Sequence, residues 1–278
     1  MYNVLLFKYQ NSYQIRSYQF GIRENQKRPD ESEFDHVEDE IDQAMAAVDD
    51  KYHLDGKSAY VSVNRSKNKI FYYSRSNDWS NGWFCTLTID QGRYDGYDYK
   101  VVSELIRKFT KALRKYDSSC YGLFVPELHP TSGRFHLHGL IGGIDLLKEG
   151  FIEDSGHKDH GETIYNFTKG WKYGFSSVTR VRSSLAVEKY IAKYTTKELL
   201  NQTKYQHRYF TFNLKESEIV KYNICKEDSF IQNLYSTGQV LFGNTDGNYN
   251  RVTYLEVKKS DEVEKLLNEY LSASNHLT

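Results

Sequence analysis

Between Trp83 and Leu200 the apolar residues switch repeatedly between the two-residue repeat of a strand and the 3.6-residue repeat of a helix, and this alternation constrains the fold most. Trp83–Ile89 (WFCTLTI) is rich in β-branched and aromatic residues and reads as a strand. Val101–Tyr116 then places Val102, Leu105, Ile106, Phe109 and Leu113 at helical spacing, with Arg107, Lys108, Lys111, Arg114 and Lys115 largely on other faces. Two strand-like runs follow, Tyr121–His129 and Arg134–Ile141, separated by the compact turn sequence Pro130-Thr131-Ser132-Gly133. The polar, Gly- and His-containing stretch Asp145–Gly170 reads as a loop or insertion, Phe175–Val181 as a strand and Leu185–Leu200 as a helix. Strand, helix, hairpin, strand and helix with tight antiparallel connections predict an α+β fold, helices packed on an antiparallel sheet.

The flanks read differently. Tyr2-Val4-Leu6 and Tyr13-Ile15-Tyr18 alternate around Gln10-Asn11-Ser12 and predict a hairpin; a second hairpin is predicted from Ser58–Val63 and Lys69–Tyr73 across Asn64–Asn68. With only three prolines, boundaries are placed by charge and motif: 1–78 as a hairpin and acidic region, 79–212 as the core, and 213–278 as a C-terminal hairpin and helix. The formal net charge of zero argues against coating nucleic acid by bulk electrostatics. Residues 83–212 are the basic part, with 19 Lys and Arg against 14 Asp and Glu. Asp30–Asp50 carries ten carboxylates and no Lys or Arg, and is expected to make no direct DNA contact. Cys85, Cys120 and Cys225 form no C-x-x-C pair and suggest neither a disulfide framework nor structural zinc. No apolar run reaches the length of a membrane span and the first residues do not resemble a signal peptide, which predicts a cytoplasmic protein.

Phe135-His136-Leu137-His138-Gly139 carries the first chemical signal. Residues i and i+2 of a strand share a face, so His136 and His138 present two imidazoles side by side. A four-residue loop Pro130–Gly133 sets the register His129 with Arg134, Leu128 with Phe135 and Glu127 with His136, which brings the Glu127 carboxylate to the same face. Two nitrogens and one carboxylate leave coordination positions open, as a catalytic metal site requires. A second group, His157-x-x-His160 with Glu162, lies in the polar insertion and reads as solvated.

Tyr190-Ile191-Ala192-Lys193-Tyr194-Thr195-Thr196-Lys197 carries the second. At 100° per residue Tyr190, Lys193, Tyr194 and Lys197 fall within one arc, opposite Leu185, Val187, Ile191, Ala192 and Leu199; Glu188 is the misfit in the apolar arc. A phenol is a poor nucleophile near neutrality until a base, metal or cation favours its phenolate, and a lysine one turn away can supply that field.

In this order and combination the motifs resemble those of the HUH endonuclease superfamily, closest to rolling-circle replication initiators of phages and plasmids. Phe84-Cys85-Thr86-Leu87-Thr88 looks like the family's first motif, His136-Leu137-His138 its second, and Tyr190 to Lys197 its two-tyrosine motif. The resemblance covers about residues 79–212, including the Trp171–Gly174 approach to the last strand. It implies a five-stranded antiparallel sheet, Mg2+ or Mn2+ at His136, His138 and Glu127, cleavage of an origin strand of single-stranded DNA, and a covalent 5′-phosphotyrosine on Tyr190 or Tyr194, assisted by Lys193 and Lys197. The first motif is expected to support the sheet without chemistry of its own. No nucleotide cofactor is expected, and no G-x-x-x-x-G-K-[ST] loop of a fused helicase is present, so a host helicase is the expected partner in a bacterial cell. A conjugative relaxase or single-strand transposase would share the chemistry; a non-catalytic single-strand-binding module with a Tyr-rich sheet is the alternative of another class.

Overall fold

The computed structural model describes residues 2–22, 56–129, 131–183, 191, 208–224, 227–246 and 251–274. The acidic stretch 30–50 and, except for Ile191, the tyrosine segment 184–200 lie outside the described residues. The chain divides into two compact units, one of residues 1–53 with 217–278 and the other of residues 54–216, and the fold is α+β with antiparallel sheets.

The first unit joins the two ends of the chain. Strands β1 (Tyr2–Lys8) and β2 (Ser12–Ile22) form the expected hairpin. Three strands from the far end complete the sheet: β10 (Glu218–Tyr222) pairs with β1, β12 (Val252–Lys258) with β2, and β11 (Val240–Asp246) with β12. Its order is β10-β1-β2-β12-β11. Alternate residues Val4, Leu6, Tyr13, Ile15, Leu255 and Val257 share a core with Phe230, Leu234, Val263 and Leu267 of α3 (Glu227–Ser236) and α4 (Asp261–Ser274). Tyr13 donates its hydroxyl to Glu264 Oε1 of α4 at 3.1 Å, which seats that helix on the strand.

The second unit is built on a sheet of order β6-β7-β8-β3-β5-β4-β9. Its strands are β3 (Trp83–Leu87), β4 (Tyr121–Leu128), β5 (Phe135–Gly142), β6 (Ile152–Asp159), β7 (Glu162–Phe167), β8 (Ser176–Arg180) and β9 (Phe210–Phe212). It therefore has seven strands where five were expected; the five-stranded sheet of this protein is the one made by its ends. The additional width comes from β9 and from the hairpin β6–β7, which replaces the loop expected at 145–170. Polar residues hid that hairpin because six of the eight β6 side chains are exposed. Its signal is the two-residue turn His160-Gly161, both at positive φ (47° and 85°), as a tight hairpin turn requires.

Helix α2 (Tyr99–Tyr116) lies on one sheet face, burying Val102, Leu105, Ile106, Phe109 and Leu113 in a core with Cys85, Leu87, Phe124, Phe135 and Leu137. Asp98 caps it by accepting the Lys100 amide at 2.8 Å. The hairpin expected over 58–73 is instead a helix, α1 (Gly56–Ser76). Ala59, Val63, Ser66, Ile70 and Tyr73 fall at the spacing i, i+4, i+7, i+11, i+14, and this helical period outweighs the two short alternating runs inside it. Ile70 of α1 is buried in a cluster with Trp79, Leu123, Val125, Leu140, Val181 and Ile191, on the sheet face opposite to α2.

Candidate functional site

The site grows out of the β4–β5 hairpin. His129 N donates to Arg134 O at 2.8 Å, Leu128 pairs with Phe135 and Glu127 with His136, so the register is the one the four-residue turn dictates. Strand alternation then sorts β5 into two functions. Phe135 and Leu137 enter the α2 core, whereas His136, His138 and Leu140 face the other way. On β4, Glu127, Val125 and Leu123 are the cross-strand partners of those three residues and share their face.

Glu127 Oε2 lies 2.8 Å from His138 Nε2, reaching diagonally past its own strand partner. His138 is buried, and its other ring nitrogen, Nδ1, is 3.2 Å from Thr86 Oγ1 on β3. Thr86 is cross-strand from His138, and Phe84, two residues earlier, stacks beside the same imidazole with ring centroids 6.1 Å apart. The first motif therefore does more than support the sheet: Thr86 grips one edge of a site imidazole. Its signal in the sequence is the alternation Phe84, Thr86, Thr88, which puts a hydroxyl on the histidine face.

His129 is a further residue that the motifs alone do not point to. Its ring stacks on that of His136 at 5.0 Å between centroids, while its Nδ1 accepts the Thr131 and Ser132 amides at 3.4 and 3.3 Å. Two residues beyond Glu127 on the same side of the hairpin, it was open to the same register argument. Burial, followed by the neighbouring His129 and His138 rings, pushes the His136 pKa below the ordinary histidine value, against a smaller opposing pull from Glu127. His136 is thus held as the neutral imidazole that metal ligation requires.

Among the described residues no three His, Cys, Asp or Glu side chains converge on one point. What the geometry draws together is the pair Glu127–His138, with His136 two residues along the strand. Their chemistry suits a hard or borderline divalent ion with open positions. The 2.8 Å between Glu127 Oε2 and His138 Nε2 also matches the separation, about 2.9 Å, of two donors at adjacent octahedral positions with bonds of 2.0–2.1 Å. His157 and His160 belong elsewhere: both are exposed on the β6–β7 hairpin, 82% of the His160 side chain being open to solvent.

Of the tyrosine segment, Tyr190, Lys193, Tyr194 and Lys197 lie outside the described residues. Ile191 is described, in helical backbone and fully buried against Leu123, Val125 and Leu140, on the Glu127, His136 and His138 face. The approach to β8 is fixed by a close backbone crossing. Thr88 and Asp90 amides donate to Phe175 and Tyr173 carbonyls at 2.9 and 2.8 Å, and a Cβ on Gly174 would collide with the Thr88 carbonyl oxygen.

Among the described residues no helix is long and apolar enough to cross a membrane. No curated protein and no solved structure matches the chain. Residues 82–199, which run from β3 through the histidine strand and the tyrosine segment, match the family model of the ORF2-type replication-associated proteins; this stretch is that of a rolling-circle replication initiator family, consistent with a phage or plasmid replication protein.

Proposed function

We propose that residues 54–216 form an HUH endonuclease core that nicks and rejoins single-stranded origin DNA through a covalent phosphotyrosine. Ile191 carries this reading. It is buried on the face of Glu127, His136 and His138, and covalent geometry keeps the Cα atoms of Tyr190 and Tyr194 within about 4 and 11 Å of its own. Either phenol then attacks the scissile phosphorus. The phosphorus–O3′ bond breaks, the 3′ oxygen leaves and takes a proton, and the 5′ side of the strand remains esterified to tyrosine.

His136, His138 and Glu127 would hold a Mg2+ or Mn2+ ion, whose chemistry at such a site is to polarise the phosphate. Thr86 and Phe84 fix the His138 ring, and the stacked His129 ring restrains His136, so both imidazoles are oriented before any ligand arrives. Lys193 and Lys197 supply positive field for the phenolates and phosphate oxygens. The phosphodiester energy is kept in the phosphotyrosine, so joining needs no nucleotide cofactor. A bacterial cytoplasm and a host helicase fit this activity.

The test is mass spectrometry of tryptic peptides after incubation with 3′-labelled origin oligonucleotides and Mn2+. A DNA-linked peptide containing Tyr190 or Tyr194 is expected, absent in His136→Ala and His138→Ala variants that still bind DNA. Binding without any covalent adduct would leave a single-strand-binding module in place of the enzyme.

A further inference from the structure

The loop between β3 and α2 crosses the start of β5, where the Phe135 amide donates to the Gly96 carbonyl at 3.0 Å. With Arg134 it encloses an open pocket of about 390 Å3, walled by Arg93, Tyr94, Asp95, Gly96 and Tyr97. Within it the Tyr97 ring is 54% exposed, unusual for a large aromatic with a fixed backbone. Its amide donates to Asp95 Oδ1 at 2.9 Å, and the Arg134 guanidinium sits 5.1 Å from its ring centroid. Among the described residues Arg134 makes no ion pair, whereas Arg93 is held by Asp90 at 2.7 Å.

We propose that this pocket seats one unpaired base of single-stranded DNA, stacked on Tyr97 and Arg134, beside the histidine site; this rests on the nicking function proposed above. Three features favour a base. A phenol ring and a planar guanidinium offer π and cation–π surfaces to any base. Asp90 offsets the charge of Arg93, and Asp95 lies in the wall, so the pocket holds little net charge and suits a neutral ring better than a phosphate cluster. Arg134 also precedes His136 by two residues on one strand, about 6.8 Å, so a base held there belongs to a nucleotide flanking the scissile phosphate. Tyr97 and Arg134 are thus positioning residues, acting on where the strand lies.

The full chain is titrated, in EDTA, against a fluorescein-labelled twenty-nucleotide thymidine oligomer and the same oligomer carrying single abasic sites. Tyr97→Ala is expected to weaken binding roughly 5- to 150-fold, the range for losing one stacked base, and Tyr97→Phe to stay within about twofold of wild type. Arg134→Ala should weaken it and Arg134→Lys should recover only part, since an ammonium does not stack. For wild type, one abasic position should reproduce the loss; Tyr97→Ala should be indifferent to that position. Unaltered binding by Tyr97→Ala, with wild type binding normally, would overturn the pocket and leave the nicking reading intact. No binding by wild type would remove the pocket together with the single-stranded-DNA reading. Because this readout is metal-free equilibrium binding, it is independent of whether any tyrosine becomes esterified.

Discussion

Replacing Thr86 by Val exchanges one hydroxyl for a methyl group of nearly the same shape, at a position where the hydroxyl faces a buried imidazole. A neutral imidazole carries its proton on one nitrogen. With Glu127 Oε2 2.8 Å from Nε2 of His138, the proton sits on Nε2, and the Thr86 hydroxyl, 3.2 Å from Nδ1, donates. For Nε2 to ligate a cation the proton must move to Nδ1, and Thr86 must then accept. A hydroxyl serves in both roles; a methyl group serves in neither. Removing a hydrogen-bond partner from a buried ring nitrogen costs about 1–3 kcal/mol, and losing an orienting partner lowers metal affinity about 10–100-fold. Thr86→Val should therefore unfold at lower urea concentration in EDTA and bind Mn2+ more weakly by calorimetry, while Thr86→Ser recovers most of both. A Thr86→Val protein with the wild-type urea midpoint and Mn2+ affinity would refute the assignment of Thr86 as the partner that follows the His138 proton.

Gly139→Ala would place a methyl group on the Phe124 ring and 3.1 Å from Cys85 Sγ, so a loss of about 1–3 kcal/mol is expected in urea denaturation, partly relieved by Phe124→Leu. Burial of His136 predicts an imidazole that titrates below the ordinary histidine value of 6.5. The unfolded chain takes that proton first as pH falls, so stability declines below about pH 6.5, and an NMR titration midpoint at or above 6.5 would contradict this. Tyr13 and Tyr73 are pushed up to about 12, each chiefly by burial and then by a carboxylate, Glu264 or Glu216. A phenol with a raised folded pKa contributes stability that is fully present below about pH 10 and lost between about pH 10 and 12. Tyr13→Phe and Tyr73→Phe should each flatten the alkaline decline of the urea midpoint, and an unchanged slope in both would count against these two phenols.

The histidine strand was legible because period-two alternation and a four-residue turn fix which residues meet: Glu127 opposite His136 follows from counting. What counting could not supply is the diagonal reach of Glu127 to His138, which depends on side-chain length and rotamer, as does the stacking of His129 on His136. Helix α1 was misread because its polar residues interrupt the apolar spacing, so two alternating pieces of five or six residues looked more regular than one helix of 21. The β6–β7 hairpin was missed for the opposite reason: exposed on most of its surface, it has almost no apolar pattern to read, and only the His160-Gly161 turn marks it. Pairing of β2 with β12, across more than 230 residues of chain, leaves no local trace, because each strand alone shows only that one of its faces is apolar.

The same alternation that made β5 readable also ties the site to the core. Phe135, Leu137 and Gly139 point into the α2 layer, where Gly139 leaves room for the Phe124 ring, and His136, His138 and Leu140 point to the face that buries Ile191. A slip of one residue would exchange the two sets, putting two imidazoles into an apolar core and three core residues onto the site. The cost of burying unpartnered imidazoles therefore works with the packing of Phe135 and Leu137 to hold one register. Geometry at the histidines is thus set by residues that never touch a ligand. Phe135→Ala, on the far side of the sheet, illustrates the coupling: it removes a ring packed on Tyr99 at 5.1 Å and beside the strand position that supplies Arg134. A loss of about 3–5 kcal/mol is expected for a buried Phe truncated in a core. If core packing fixes the register, the surviving folded fraction keeps wild-type Mn2+ affinity, because the site is assembled whenever the sheet is. A variant that stayed fully folded yet bound Mn2+ more weakly would mean that β5 can shift within an intact sheet, and would uncouple the site from the core beneath it.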